Sequence, residues 1–174
     1  MVVYKVVNSY LGENTYIVSI NGDCMLIDPG SDTEVIDDYI VKGKFNVRGI
    51  LITHYHDDHV FSLDYFRSKY KCEVFDYKFC GEVSVSGFNF FVKNTYGHTD
   101  DSVCFYFKED NIMFTGDFLF KGSIGRYDFI NSSYTEMVKS IKWVKSMSKS
   151  IVIYPGHGDE SSLEAEFNNN YYLI

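Results

Sequence analysis

Four cysteines are all that this chain of 174 residues has, and Cys24, Cys72, Cys80 and Cys104 form no C-x-x-C pair. That scatter excludes a sulfur-rich zinc framework and argues against a disulfide scaffold; each thiol is expected to be reduced and packed as a small buried hydrophobe. Clusters of lysine or arginine are also missing, and the formal net charge is −8. Nucleic acid and anionic membrane surfaces are therefore poor partners. No apolar run approaches the roughly 20 residues that a membrane-spanning helix needs. The opening "MVVYKVVNSY" has neither a basic flank nor a small-residue cleavage site, so a cytoplasmic location is expected. No repeat, low-complexity tract or linker interrupts the chain, and one domain over residues 1–174 is expected, long enough to bury its own core.

What is abundant is aromatic. Phenylalanine and tyrosine number 15 each, and hydrophobic residues make up 45% of the chain, a composition suited to half-buried sheet surfaces. Nine apolar, β-branched runs lie between turn signals: "YKVVNSY", "TYIVSI", "CMLIDPG", "RGILIT", "CEVFDY", "FNFFVKNT", "SVCFYF", "NIMFTG" and "SIVIYPG". Helical spacing marks three other segments, through Val35, Ile36, Tyr39 and Ile40, through Phe61, Leu63 and Phe66, and through Met137, Ile141 and Val144. The last starts at a capping box, Ser133 with Glu136. "SLEAEFNNNYYL" suggests a short fourth helix, and Trp143 on the third is expected in the core. Strands grouped as hairpins and separated by helices imply an α/β (α+β) fold with antiparallel or mixed sheets and helices packed outside them.

Only five histidines are present, and three of them fall within "LITHYHDDHV", Leu51 to Val60. His54 and His56 leave the strand on the same side, while Asp58 and His59 follow where the chain turns into a helix. Imidazole and carboxylate together suit Zn²⁺, Fe and Mn. So dense a gathering is poorly explained as a solvated loop. His98 in "YGHTDDS", His157 in "YPGHGDE" and Asp117 in "NIMFTGDFLF" each follow a strand-like run as well. Strand-end loops on a rigid sheet are where functional side chains are commonly held.

In the order "DPG" (Asp28 to Gly30), "THYHDDH" (Thr53 to His59), "GHTDDS" (Gly97 to Ser102), "FTGDFLFKGSIGRYD" (Phe114 to Asp128) and "PGHG" (Pro155 to Gly158), the chain resembles the metallo-β-lactamase fold hydrolases, within them the glyoxalase II-like group. The resemblance implies a four-layer αββα sandwich with two divalent metal ions along one edge, zinc first among the candidates and iron or manganese next. It implies His54, His56 and His98 around the first ion, Asp58, His59 and His157 around the second, and Asp117 bridging them. Asp28 matches the aspartate that orients a ligand histidine, although an Asp-Pro turn explains it equally well. Tyr96 stands where the family usually has proline. The chain ends at Ile174, soon after His157, whereas glyoxalase II enzymes carry a helical C-terminal extension that supplies much of the glutathione pocket; weak glutathione dependence is therefore expected.

Two cations about 3.5–4 Å apart lower the pKa of a shared water toward ~7, so hydroxide becomes the nucleophile and Asp58 and Asp117 hold the catalytic ions. With two carboxylates and five neutral imidazoles the site keeps a net positive charge, which favours an oxyanion. The resemblance thus points to a hydrolase of small acyl thioesters. Arg126 and Lys121 flank the "GSIG" turn and could meet a substrate carboxylate, but pairing of Arg126 with Asp128 is the expected structural role. Tyr10 and Tyr96 are candidates to line the cleft. Rival readings are another hydrolase of the fold, a persulfide dioxygenase with one iron on His54, His56 or His98 and Asp117, and a non-catalytic metal binder. The intact second ligand set argues against the last two. Flavo-diiron proteins usually place a glutamate where His56 stands, and a secreted β-lactamase would carry a signal peptide. The acyl group, the thiol carrier and the oligomeric state are not legible.

Overall fold

The computed structural model describes all residues from Met1 to Ile174. Its first half builds β1 (Val2–Val7), β2 (Asn14–Ile20), β3 (Asp23–Ile27), α1 (Thr33–Gly43), β4 (Asn46–Leu51), α2 (Asp57–Val60), α3 (Leu63–Tyr70) and β5 (Glu73–Phe75). The second half adds β6 (Gly81–Val85), β7 (Phe88–Asn94), β8 (Val103–Phe107), β9 (Ile112–Gly116), β10 (Leu119–Phe120), β11 (Ser123–Ile124), α4 (Tyr134–Val144), β12 (Val152–Pro155), β13 (Ser161–Ser162) and α5 (Leu163–Asn169). No helix is long and apolar enough to cross a membrane.

One sheet has the order β1-β2-β3-β4-β5 and the other β13-β12-β9-β8-β7-β6, with β10 and β11 as a separate pair. Both sheets are mixed: β3, β4 and β5 pair in parallel, as do β9 and β12, and the remaining large-sheet pairs are antiparallel. Local chemistry sets two of the registers. Asn21 and Gly22 both take positive φ between β2 and β3, the requirement of a two-residue type I′ hairpin turn. Ser86 and Gly87 do the same between β6 and β7.

Side-chain alternation then makes four layers. Along β2, Tyr16 and Val18 join a cluster with Phe90, Phe105 and Phe114 of the opposite sheet, while Ile17 between them joins Ile36, Ile40 and Phe66 of α1 and α3. Along β8 and β9, Cys104 and Met113 turn the other way and pack with Met137, Val144 and Leu163 of α4 and α5. Period-2 strands with both faces buried read as continuous apolar runs, and all nine runs in the sequence fall on strands. The αββα sandwich is the fold.

The differences from expectation have local causes. β6 is an edge strand whose "GEVSV" exposes Glu82 and Ser84, so it carries too little apolar signal to register as a strand. The helix expected through Phe61 to Phe66 is broken in two, because Ser62 donates its backbone N–H to Pro29 O (2.9 Å) and its hydroxyl to Gly30 O (2.6 Å); Phe61 is left exposed. On α1 only Ile36 and Ile40 are buried, and Val35 and Tyr39 face solvent. Ser133 caps α4 by accepting from Glu136 N at 3.3 Å. The reciprocal half of the box is absent, since Ser133 N donates to Gly97 O and the Glu136 carboxylate takes Lys139. Cys24 and Cys104 are buried as expected; Cys72 is half-buried and Cys80, beside the edge strand, is exposed. Trp143 lies at the core's margin rather than in it, with the Lys93 ammonium 5.8 Å from its ring centroid.

Candidate metal centre

Strand ends bring the polar residues together. Asp28 follows β3, His54 and His56 follow β4, Asp58 and His59 ride on the single turn of α2, His98 lies between β7 and β8, Asp117 follows β9 and His157 follows β12. Four groups of three result, and within each group one ligand atom per residue lies within 4.8 Å of the others. Two of them are triads with no residue in common, His54 with His56 and His98, and Asp58 with His59 and His157; the others are His54 with His59 and Asp117, and Glu13 with Asp28 and His59. In the first, His56 Nδ1 faces His54 Nε2 at 3.0 Å and His98 Nε2 at 3.1 Å. In the second, His157 Nε2 is 3.3 Å from Asp58 Oδ2. Asp117 stands between them, its Oδ1 3.4 Å from His59 Nε2 and its Oδ2 3.6 Å from both His98 Nε2 and His157 Nε2.

The ring protons are assigned by the far sides of the imidazoles. His98 Nδ1–H donates to Arg126 O (2.8 Å) and His59 Nδ1–H to Asp28 Oδ2 (3.0 Å). His54 Nδ1–H meets Thr53 Oγ1 (3.2 Å), whose hydroxyl donates in turn to the same Asp28 Oδ2 (2.6 Å), while Thr53 N donates to Oδ1 (2.8 Å). One carboxylate therefore orients a histidine of each triad, His59 directly and His54 through Thr53. Asp28 takes φ +46°, uncommon for a residue with a side chain, and these hydrogen bonds hold it there. Close approach also dictates two glycines. A Cβ on Gly156 would lie 2.4 Å from Asp117 Oδ1, and one on Gly116, at φ +50°, would lie 2.4 Å from Thr53 Oγ1.

Charge in the cluster is unbalanced. Burial holds the His54 imidazole well below its ordinary value, with His59 and His98 adding to the effect. Burial also lowers His98. At His59 burial acts downward too, but the carboxylates of Asp117 and Asp28 outweigh it and keep the ring well above the usual range. Burial pulls against the Asp58 hydrogen bond at His157 and loses, so that ring is raised as well. Burial would raise both aspartates, yet the neighbouring histidines win, moving Asp117 down and Asp58 to about 2. The carboxylates thus favour the charged ring at His59 and His157, and burial disfavours it at His54 and His98.

Five buried side-chain atoms have no hydrogen-bond partner, and two of them, His59 Nε2 and Asp117 Oδ1, belong to the cluster and lie 3.4 Å apart. Unpaired buried polar atoms cost free energy unless a ligand satisfies them. A set of imidazole nitrogens and carboxylate oxygens fits divalent Zn, Fe or Mn. The residues present fit two such ions.

Every residue singled out in the sequence for this cluster is brought into it. Asp28 is the carboxylate behind His59 rather than only a turn residue. Arg126 forms a double hydrogen bond with Asp128, at 2.9 and 3.1 Å, on the exposed rim. Lys121 is paired with Asp159 at 3.0 Å. Tyr10 lies in the exposed β1–β2 connection, and Tyr96 turns its hydroxyl to Asn94. Glu13 and Phe129 carry no signal in the sequence, and Thr53 enters it only as the first residue of "THYHDDH", without a role. Glu13 is fully buried with Oε1 4.0 Å from His59 Nδ1, and burial pushes its carboxyl up to about 10, so it sits neutral beside Asp28. An open groove of about 640 Å³ lies elsewhere, against α1 and Tyr65, and chemistry rather than volume marks the site.

Replacing Asp28 by asparagine, which tolerates the left-handed backbone, is expected to weaken divalent-metal affinity about 10–100-fold without unfolding the chain. Metal competition with a chromogenic chelator, with circular dichroism as the control, measures it; unchanged affinity would contradict the orienting role.

Comparison with known proteins shows the family and the fold. Residues 10–76 and 81–157 match the metallo-beta-lactamase superfamily. A probable metallo-hydrolase of Streptococcus pyogenes is 30% identical over 99% of this chain and 90% of its own length. The hydroxyacylglutathione hydrolase GloC of Haemophilus influenzae is 28% identical over 85% of this chain and 86% of its own. The solved structure of TTHA1623 in a di-iron-bound form superposes with a TM-score of 0.89 at 27% identity, covering 98% of this chain and all of that one. The chain belongs to the metallo-beta-lactamase superfamily, a metallo-hydrolase of that fold whose His/Asp cluster implies divalent metal ions.

Proposed function

We propose that the protein is a binuclear metal-dependent hydrolase of small acyl thioesters, with His54, His56 and His98 holding one divalent ion, Asp58, His59 and His157 the other, and Asp117 shared. The observation that carries this reading is the position of Asp117, whose carboxylate reaches histidines of both triads within 3.4–3.6 Å. Two ions bound there supply Lewis-acid charge and lower the pKa of water from 15.7 toward about 7. The chain's own residues do the rest. Asp58, beside His157, accepts a hydrogen bond from the attacking water and keeps it aimed at the carbonyl carbon. Asp28 and Thr53 engage the Nδ1 atoms of His59 and His54 and so direct the Nε2 atoms of both rings inward. Thioesters are favoured over amides because no side chain stands ready as a general acid for an amine, and a thiolate leaves without one.

Lactoyl and acetyl thioesters offered to the zinc-, iron- and manganese-loaded protein test the reading, with oxygen uptake followed in parallel on a persulfide. Thioester turnover abolished by chelation is the expected result. Oxygen consumption with a persulfide and no thioester turnover would overturn it.

A further inference from the structure

The rim of the metal centre is not uniformly polar. Phe129 lies in the connection between β11 and α4, and its ring stands nearly perpendicular to both His56 and His98, with centroids 5.6 Å away in each case. The Arg126 guanidinium covers the same ring at 4.4 Å. Despite these three neighbours Phe129 remains 38% exposed, and Ile130 next to it is fully exposed. The segment is tied down rather than loose. Phe129 N donates to Ser132 Oγ (3.2 Å) and Ser132 N to Phe129 O (3.1 Å). The Ser132 hydroxyl donates to the carbonyl of His98 itself (2.5 Å), and Ser133 N to Gly97 O (2.9 Å). The loop that presents the phenylalanine is thus fixed to the loop that presents His98.

We propose that Phe129, continued by Ile130, is the wall against which the acyl chain of the substrate packs, so that this site favours thioesters of apolar acyl groups over the bare two-carbon acyl. The inference rests on the thioesterase reading and adds a substrate class to it. A rigid aromatic ring against two ligand imidazoles lies within reach of groups bonded to the carbonyl carbon, and its exposed face offers them apolar surface. Full burial of a methylene stabilises by about 0.8 kcal/mol, a factor of about four; one wall with the other side open gives roughly half of that free energy, about twofold per methylene.

The test uses two series on the metal-loaded protein: acetyl, butyryl and hexanoyl thioesters of N-acetylcysteamine for kcat/KM, and acetyl, butyryl and hexanoyl hydroxamates for binding by calorimetry. Both are expected to rise by about tenfold or more from two carbons to six. Phe129→Ala should flatten both slopes and Phe129→Leu should keep most of them, with metal content equal in all three proteins. A hydroxamate slope that is flat in the wild-type protein, or unchanged in Phe129→Ala, overturns the wall. If the hydroxamate slope is present and sensitive to Phe129 but no thioester turns over, the wall stands and the thioesterase reading falls.

Discussion

Asp117→Ala is expected to abolish turnover and to leave at most one tightly bound metal ion per chain. The substitution removes the one carboxylate that lies within 3.4–3.6 Å of histidines from both triads, so in the proposed binuclear site neither ion would keep its full ligand set. It also removes the carboxylate oxygen that faces His59 Nε2 at 3.4 Å, a buried nitrogen with no hydrogen-bond partner. The loss should exceed the roughly 10–100-fold typical of residues that only orient ligands, which is what Asp28 is expected to show. Arg126→Ala is the contrasting variant. Its guanidinium is exposed, paired with Asp128 and laid over Phe129, and it offers no metal ligand, so metal content should be unchanged and the loss in kcat/KM should be far smaller than in Asp117→Ala. Elemental analysis and steady-state kinetics on the three proteins check the ranking. Near-wild-type turnover in Asp117→Ala would remove this site from the chemistry.

Chelation should be nearly as severe for activity and should be visible in stability. An ion that binds only the folded chain stabilises it by about 4 kcal/mol when present at 1,000 times its dissociation constant. For a domain of this size each kcal/mol shifts Tm by roughly 2–4 °C, so stripping the metals should lower Tm by on the order of 10 °C. The fold itself should persist, because the three hydrophobic clusters are assembled from strands and helices outside the ligand set. Calorimetry of the loaded and stripped protein, with far-UV circular dichroism, measures both. An unchanged Tm together with unchanged activity would show that the cluster binds no ion that matters.

The metal cluster was legible in the sequence because a short segment supplies four of its members. His54, His56, Asp58 and His59 sit within six positions, and a two-residue period followed by a helical turn places them without any knowledge of distant contacts. His98, Asp117 and His157 were legible more weakly, as polar residues directly after apolar strand runs. Strands whose two faces are both buried announce themselves as apolar runs, and the half-polar edge strand at Gly81–Val85 does not. What stayed hidden are residues whose meaning depends on neighbours far along the chain. Glu13 is an ordinary loop glutamate until folding sets it behind His59, and Thr53 until its hydroxyl bridges Asp28 and His54. Phe129 is one of 15 phenylalanines until the Ser132 hydroxyl pins its loop to His98. The break at Ser62 is hidden for the same reason, since the competing hydrogen bonds come from Pro29 and Gly30 on another loop.

The central claim is that two ions share Asp117. Metal-loaded crystals measured by anomalous scattering at the absorption edge of the bound metal, with elemental analysis of the same protein, address it directly. The expected result is two peaks per chain about 3.5–4 Å apart, one against His54, His56 and His98, the other against Asp58, His59 and His157, with Asp117 touching both. A fully loaded protein with one peak on the first triad, and with Asp58 and His157 turned away from it, would contradict the binuclear site and favour mononuclear oxygen chemistry instead.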